Sequence, residues 1–263
     1  MSIERINEYV TRVTIPYKDI FTTVYTVKTE DGFLLFDTGS YDSDVDDVIL
    51  PHLRAIGITE ERLKYVFISH RHFDHAGGLR RLLSYFPNVT VLTRSPDLIT
   101  SIPEGKYHVP EDGEKIGKHL SAVTVIGHAH DAAAIYDERT KMLLSGDSLQ
   151  LFGIFGSGEW GANIPLPAEH LRALEKLGRM DIESIYTAHE YHPYGYRYIG
   201  REAVENALDA SLRPLLTIKK MMENHPSLSN AQIRARYHAS ATLPTVSERV
   251  FAAVREQLIE GKE

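Results

Sequence analysis

A short apolar run, followed at once by four metal-ligand residues, is the feature that most constrains this sequence. The run Tyr65-Val66-Phe67-Ile68 is typical of a strand buried on both faces, as in a parallel sheet covered by helices. After Ser69 the chain reads His70-Arg71-His72-Phe73-Asp74-His75. Three histidines and an aspartate packed at the end of a buried strand indicate a metal site.

The spacing of these residues suggests how they share metal ions. His70 and His72, two positions apart, can face one ion, while Asp74 and His75 turn toward a second ion a few ångströms away. The chain has no cysteine. Disulfide frameworks, thiolate zinc sites, cysteine-ligated clusters and cysteine nucleophiles are therefore excluded, and any metal must bind to His, Asp and Glu.

The composition of the chain argues against two classes of partner, nucleic acids and membranes. The chain has 29 basic and 36 acidic residues, a formal charge of −7, which argues against a protein that neutralises many nucleic-acid phosphates. No run of about 18 apolar residues is present to span a bilayer. The first eight residues carry acids and lack an apolar stretch, so they do not resemble a secretory signal. We expect a cytoplasmic protein that has neither a nucleic acid nor a membrane as partner.

Periodicity predicts two β-rich halves flanked by helices. Apolar and β-branched patterns predict strands over 9–15, 21–29, 33–36, 65–68, 89–92, 120–126, 133–136, 142–144 and 182–187. Helical spacing predicts helices over 44–56, ended by Gly57, and over 79–86 and 167–177. From residue 201 the pattern is helical only, with capping boxes at Ser229-x-x-Gln232 and Thr245-x-x-Glu248. We predict one domain over 1–200 and a helical extension over 201–263.

The His-x-His-x-Asp-His pattern after a strand resembles the metallo-β-lactamase-fold superfamily of metallo-hydrolases. Three later segments resemble further motifs of that family: Gly127-His128, Gly146-Asp147 and Ala188-His189. The resemblance implies an α/β (α+β) sandwich, the αββα fold, in which two packed mixed sheets are flanked by helices. Here a C-terminal helical appendage is added.

The resemblance also implies a ligand set. The seven implied metal ligands are His70, His72, Asp74, His75, His128, Asp147 and His189. One ion would take His70, His72 and His128, the other Asp74, His75 and His189, with Asp147 bridging both. We expect two divalent ions, with zinc first and iron or manganese as alternatives.

Two of these ligands have rivals. The family's usual Thr-Pro-Gly after the third histidine is replaced here by Ala129-His130-Asp131, which makes His130 an alternative to His128. His192 is the alternative to His189. Asp37-Thr38-Gly39 matches an early family motif, and the resemblance places Asp37 behind the metals, where it orients ligands.

The expected reaction follows from the ions. Two divalent ions sharing a carboxylate lower the pKa of a bound water from about 16 toward about 7, giving a bridging hydroxide that attacks a small ester, thioester or lactone. Asp74 would act as a catalytic proton shuttle as well as a ligand. Alternatives are a mononuclear iron enzyme resembling persulfide dioxygenases, and a regulatory protein with weak hydrolase activity. Diiron flavoproteins are disfavoured because that branch has Glu where His72 stands.

The substrate branch stays open at this point. Ala188-His189-Glu190-Tyr191 resembles the His-Glu-Tyr segment of glyoxalase II, but the sequence after it departs from that enzyme. The loop 150–164, rich in glycine and aromatic residues, is predicted to be a mobile lid or an ordinary surface loop. The helical tail is expected to cover the active site, to pair with a second copy as a homodimer, or both.

Overall fold

The computed structural model describes residues 2–154, 161–191, 195–239 and 244–261. Most of the glycine and aromatic centre of the predicted lid, including Trp160, lies outside the described residues, and so does His192. No helix in the described ranges is both long and apolar enough to cross a membrane.

The first sheet has seven strands that follow chain order. They are β1 (Ser2–Arg5), β2 (Val10–Tyr17), β3 (Ile20–Lys28), β4 (Phe33–Phe36), β5 (Leu63–Ile68), β6 (Thr90–Thr93) and β7 (Tyr107–His108). Neighbours from β1 to β4 pair antiparallel, whereas β4, β5, β6 and β7 pair parallel. The sheet is therefore mixed, and the buried run predicted from the sequence lies in β5, a parallel strand.

The second sheet has six strands in the order β13-β12-β11-β10-β9-β8. They are β8 (Lys115–Ile116), β9 (Leu120–Thr124), β10 (Ala133–Asp137), β11 (Met142–Gly146), β12 (Ser184–Tyr191) and β13 (Gly195–Ile199). β11 and β12 are parallel, while β12 pairs antiparallel with β13 and β9 with β10. Both sheets are mixed, as expected.

Nine α-helices and two π-helical segments are present in the described ranges. The α-helices are α1 (Asp42–Asp44), α2 (Leu50–Ala55), α3 (Phe73–Ala76), α4 (Leu79–Tyr85), α5 (Pro96–Ile99), α6 (Pro167–Arg179), α7 (Arg201–Asn224), α8 (Asn230–His238) and α9 (Glu248–Val254). The π-helical segments, Val45–Ile49 and Arg255–Ile259, continue α1 into α2 and extend α9.

Local signals explain several helix ends. Gly57 follows α2 with φ +74°, a conformation that favours glycine. Ser229 caps α8 through a capping box with Gln232, as predicted. The box predicted at Thr245 is wrong, because the last helix begins two residues later, at Glu248 after Ser247. Pro214 lies inside the continuous helix α7.

Two compact units are present. The first comprises residues 1–124 and 131–140, and its core consists of buried apolar side chains from the first sheet and from the helices and loops between residues 42 and 102. The second comprises residues 125–130 and 141–263, and its core joins α7, α8 and α9 around Tyr237 and Phe251. The predicted domain boundary at residue 200 stays a prediction.

Candidate metal centre

The first unit holds four of the predicted ligands, His70, His72, Asp74 and His75, here called the first cluster. β5 ends at Ile68, and α3 begins at Phe73 after His72, whose backbone is extended (φ −60°, ψ 148°). The segment that follows the strand therefore carries His70 and His72, and the helix presents Asp74 and His75. His70 and His75 are buried, and Asp74 is partly exposed.

Two imidazoles of the first cluster converge. His70 Nε2 lies 2.8 Å from His72 Nδ1. Ser69 Oγ donates its proton to Asp37 Oδ2, so His70 Nδ1 at 3.1 Å is assigned as the donor to Ser69 Oγ. The lone pair of His70 then resides on Nε2, the atom that faces His72.

Asp37 lies behind the first cluster, fully buried. Its Oδ1 accepts the backbone N–H of Ser69 at 2.7 Å, and its Oδ2 accepts His75 Nδ1 at 2.8 Å. The latter bond fixes the His75 tautomer and turns Nε2 outward, to 3.5 Å from Asp74 Oδ2. Burial raises the pKa of Asp37, and the adjacent His75 opposes that shift. The location expected for Asp37 is the one observed.

Glycine is required where the loop after β4 approaches α3. A Cβ on Gly77 would stand 2.0 Å from the Ser40 carbonyl oxygen, and one on Gly78 would stand 2.2 Å from that of Thr38. Thr38 also donates its backbone N–H and its hydroxyl to the His75 carbonyl. The Asp-Thr-Gly segment therefore fixes both the ring and the backbone of His75.

The second unit holds the remaining three ligands, His128, Asp147 and His189, here called the second cluster. His128 lies in the loop after Gly127, Asp147 follows β11, and His189 lies within β12. All three side chains are buried. They come from segments far apart in the sequence, so only the fold brings them together.

Asp147 faces a different histidine with each carboxylate oxygen. Its Oδ2 lies 3.6 Å from His128 Nε2, and its Oδ1 lies 3.3 Å from His189 Nε2. His128 Nδ1 donates to the backbone carbonyl of Asn163 at 2.9 Å, which leaves the lone pair on Nε2. This arrangement suits a carboxylate that shares its two oxygens between two ligand sets.

Gln150 was missed by the sequence reasoning. Its buried amide donates to the Asp147 carbonyl at 3.0 Å and accepts the backbone N–H of Asn163 at 2.9 Å. Since Asn163 in turn holds His128, Gln150 ties two ligand segments of the second cluster together. No spacing in the sequence signals such a link, because both partners are backbone groups.

The rival histidine His130 is exposed, whereas His128 is buried beside Asp147. His170, one of the histidines without a motif, is buried in α6 and bonds Ser211 Oγ at 3.0 Å. Burial lowers the pKa of His170 to about 3, with His128 adding to the shift. The ring is therefore neutral at pH 7.

The donor chemistry fits divalent metal ions. Each cluster offers imidazole nitrogens together with carboxylate oxygens, ligands that zinc, iron, manganese and cobalt accept. One ligand atom of His70 and one of His75 lie within 4.8 Å of each other. Nδ1 of His70, His75 and His128 each makes a hydrogen bond, which places the lone pair on Nε2, the orientation typical of metal-binding histidines.

Comparison with known sequences points to related enzymes. The hydroxyacylglutathione hydrolase of Aeromonas hydrophila is 28% identical over 184 residues, which are 68% of this chain and 65% of that protein. The atrochrysone carboxyl ACP thioesterase of Emericella nidulans is 27% identical over 190 residues, 71% of this chain and 57% of that protein. The chain thus aligns with less than two thirds of either relative's length.

The fold has known counterparts as well. The metallo-β-lactamase from Pontibacter korlensis, 18% identical, matches with a TM-score of 0.59 over 80% of this chain and 98% of that one. This likeness concerns the fold alone, and it confirms the predicted sandwich of two mixed sheets flanked by helices. The sequence model of the metallo-β-lactamase superfamily matches residues 17–189, a stretch containing all seven predicted ligands. The chain belongs to the metallo-β-lactamase superfamily.

Proposed function

We propose that this protein is a metal-dependent hydrolase that binds two divalent ions. His70, His72 and His128 would hold one ion, Asp74, His75 and His189 would hold the other, and Asp147 would be shared by both. The observation that carries the proposal is the geometry of Asp147, whose two oxygens face two different buried histidines. The family match, which includes every one of these residues, supports the same assignment.

Bound ions of this kind lower the pKa of water and polarise the carbonyl of a substrate, which is the chemistry of hydrolysis. The protein's own groups orient the ligands and move the proton. Asp37 and Ser69 hold the rings of His75 and His70 in fixed tautomers. Asp74, with a side chain 14% exposed, can pass a proton between its carboxylate and the leaving group.

We infer that the substrate is a small ester, thioester or lactone, and that thioesters are the first class to test. The two relatives are named a hydroxyacylglutathione hydrolase and an ACP thioesterase. No nucleic acid or membrane partner enters the proposal, since the formal charge is −7.

The test is an initial-rate comparison on one matched panel of acyl-glutathione, acyl-CoA, homoserine lactone, β-lactam and phosphodiester substrates. Each substrate is measured with and without a chelator. We expect chelator-sensitive hydrolysis of at least one acyl substrate, restored when a divalent ion is added back. The H225Q variant, which alters an exposed histidine on the C-terminal segment, serves as the control for the clusters.

Two outcomes would contradict the proposal. One is hydrolysis that a chelator does not affect, which would remove the metal from the reaction. The other is silence on every acyl substrate from protein shown to contain two metal ions per chain. The second result would shift weight to the persulfide dioxygenase or the regulatory alternative.

A further inference from the structure

Asp131 is a buried carboxylate with no assigned role. It stands where the family motif has glycine, three residues after His128 and two before the start of β10. Its side chain is only 2% exposed. A buried carboxylate is costly unless hydrogen bonds compensate its desolvation, so the partner of Asp131 indicates its purpose.

That partner is a backbone N–H that lies between two residues of the first cluster. Asp131 Oδ2 accepts the N–H of Arg71, the residue between His70 and His72, at 3.0 Å. The guanidinium of Arg71 is engaged elsewhere, with Asp97 at 2.7 Å. The carboxylate of Asp131 therefore binds a backbone amide and not the charge of the Arg71 side chain.

A backbone hydrogen bond lies beside this one. The N–H of Ala133 donates to the Ser69 carbonyl at 2.8 Å. Arg71 lies two residues after Ser69, and Asp131 lies two residues before Ala133, so the two hydrogen bonds join the same two segments. The first link is between two backbone groups, and the second is between a backbone N–H and a side chain just before the start of β10.

His70 lies between the two links. Ser69, the residue before His70, makes three hydrogen bonds. Its N–H and its hydroxyl donate to Asp37, and its carbonyl accepts from the Ala133 N–H. The residue after His70 is held by Asp131. A hydrogen bond that an N–H donates to a carboxylate is about twice as strong as one to a neutral acceptor. The backbone on both sides of His70 is thereby fixed.

We propose that Asp131 is a positioning residue that sets the His70–His72 segment for metal binding. This inference rests on the proposed function, since it assumes that the first cluster binds a divalent ion. It predicts a loss of metal affinity when the acceptor is removed, and retention when an oxygen acceptor is kept.

The test measures zinc affinity by chelator competition and thermal unfolding of the metal-free protein, for D131A, D131N and D137A. Asp137 is the matched control, since it is equally buried at the other end of β10 and accepts the Arg139 N–H at 3.0 Å. We expect D131A to weaken zinc binding about 10- to 100-fold, the usual effect of losing a group that orients ligands. D131N should stay within about threefold of the wild type because its amide oxygen still accepts from Arg71. D137A should lower stability without changing zinc affinity.

Three outcomes would overturn the inference: wild-type affinity in D131A, equal weakening in D131A and D137A, or a loss in D131N as large as in D131A. If D131A does not fold, D131S carries the same prediction, because its shorter side chain cannot reach the Arg71 N–H. Failure of the wild type to bind any divalent ion would instead refute the proposed function.

Discussion

The two ligand clusters are assembled in different ways. The first cluster comes from the end of one strand and the helix after it. A single buried carboxylate, Asp37, accepts hydrogen bonds from the Ser69 N–H after the strand and from the His75 ring on the helix. The second cluster gathers His128, Asp147 and His189 from three separate segments, and the amide of Gln150 joins those of His128 and Asp147. The ligands of the first cluster are neighbours in the sequence and are then held by distant carboxylates, whereas those of the second cluster are brought together by the tertiary fold alone. Substitutions should therefore separate the two.

The largest effect is expected from D147A, which removes both oxygens that face His128 and His189. We expect the loss of at least one metal ion per chain and a fall in hydrolysis beyond the 10- to 100-fold typical of residues that only orient ligands. Elemental analysis of the purified variant measures the metal. Two retained ions with full activity would show that the bridging assignment is wrong.

The second-largest effect is expected from D37N. Three donors bond the Asp37 carboxylate, one on Oδ1 and two on Oδ2, and an amide can accept on only one oxygen. Asparagine tolerates the φ of +63° at this position, so the backbone is not an added problem. We expect zinc affinity to fall about 10- to 100-fold in chelator competition.

D44N is the matched control for D37N. Asp44 is also buried in the first unit, but a single oxygen, Oδ2, accepts from the backbone of Ser40 and Tyr41. An asparagine there keeps both bonds, and zinc affinity should stay within about threefold of the wild type. Equal losses in D37N and D44N would mean that Asp37 acts on folding in general and not on the ligands.

Q150A should have a smaller effect, limited to the second cluster. Losing the amide frees the Asp147 carbonyl and the Asn163 N–H from their shared partner, and we expect about a 10-fold weaker affinity for one of the two ions. Q257A is the control, since Gln257 also joins two backbone groups of the second unit, Ala168 N–H and the Pro165 carbonyl. Biphasic metal titration distinguishes the two ions, and an unchanged titration in Q150A would contradict the role given to Gln150.

The smallest effect concerns pH. Burial lowers the pKa of His170 to about 3 in the folded protein, while the unfolded chain takes up that proton near pH 6.5. Since the unfolded state binds more protons between these values, His170 makes stability fall as pH falls from about 6.5 to about 3. H170Q should reduce this slope by at most about 1.4 kcal/mol per pH unit.

Denaturant unfolding of the metal-free protein at several pH values measures that slope, with H225Q as the exposed-histidine control. A slope in H170Q equal to that of the wild type would show that His170 is not held neutral in the folded state.

The difference between the clusters also explains what could be predicted from the sequence. The first cluster is contiguous, so a pattern of side chains after an apolar strand was enough to locate it. Nine of the thirteen strands in the described ranges were predictable because runs of β-branched and apolar residues are separated by turn residues, whereas β1, β7, β8 and β13 were not predicted. Asp37 was found only through the family resemblance, since a lone aspartate in a turn has no distinctive pattern.

Other residues that hold the ligand segments in place were not predictable from the sequence, for a physical reason. Gln150 and Asp131 bind backbone groups of Asn163 and Arg71, which lie elsewhere in the sequence. Every residue type except proline offers the same backbone N–H, so the sequence does not show which residue is the partner. The start of the last helix was misplaced by two residues because Thr245 and Ser247 are both good capping residues, and only the packing of the chain selects between them.

Our main proposal is that hydrolysis by this protein requires two divalent ions bound per chain. The most direct test adds zinc or manganese stepwise to metal-free protein while the initial rate of thioester hydrolysis is followed. We expect no hydrolysis without metal and a rate that rises until two ions are bound per chain. A rate that saturates at one ion, or that does not depend on metal, would contradict it.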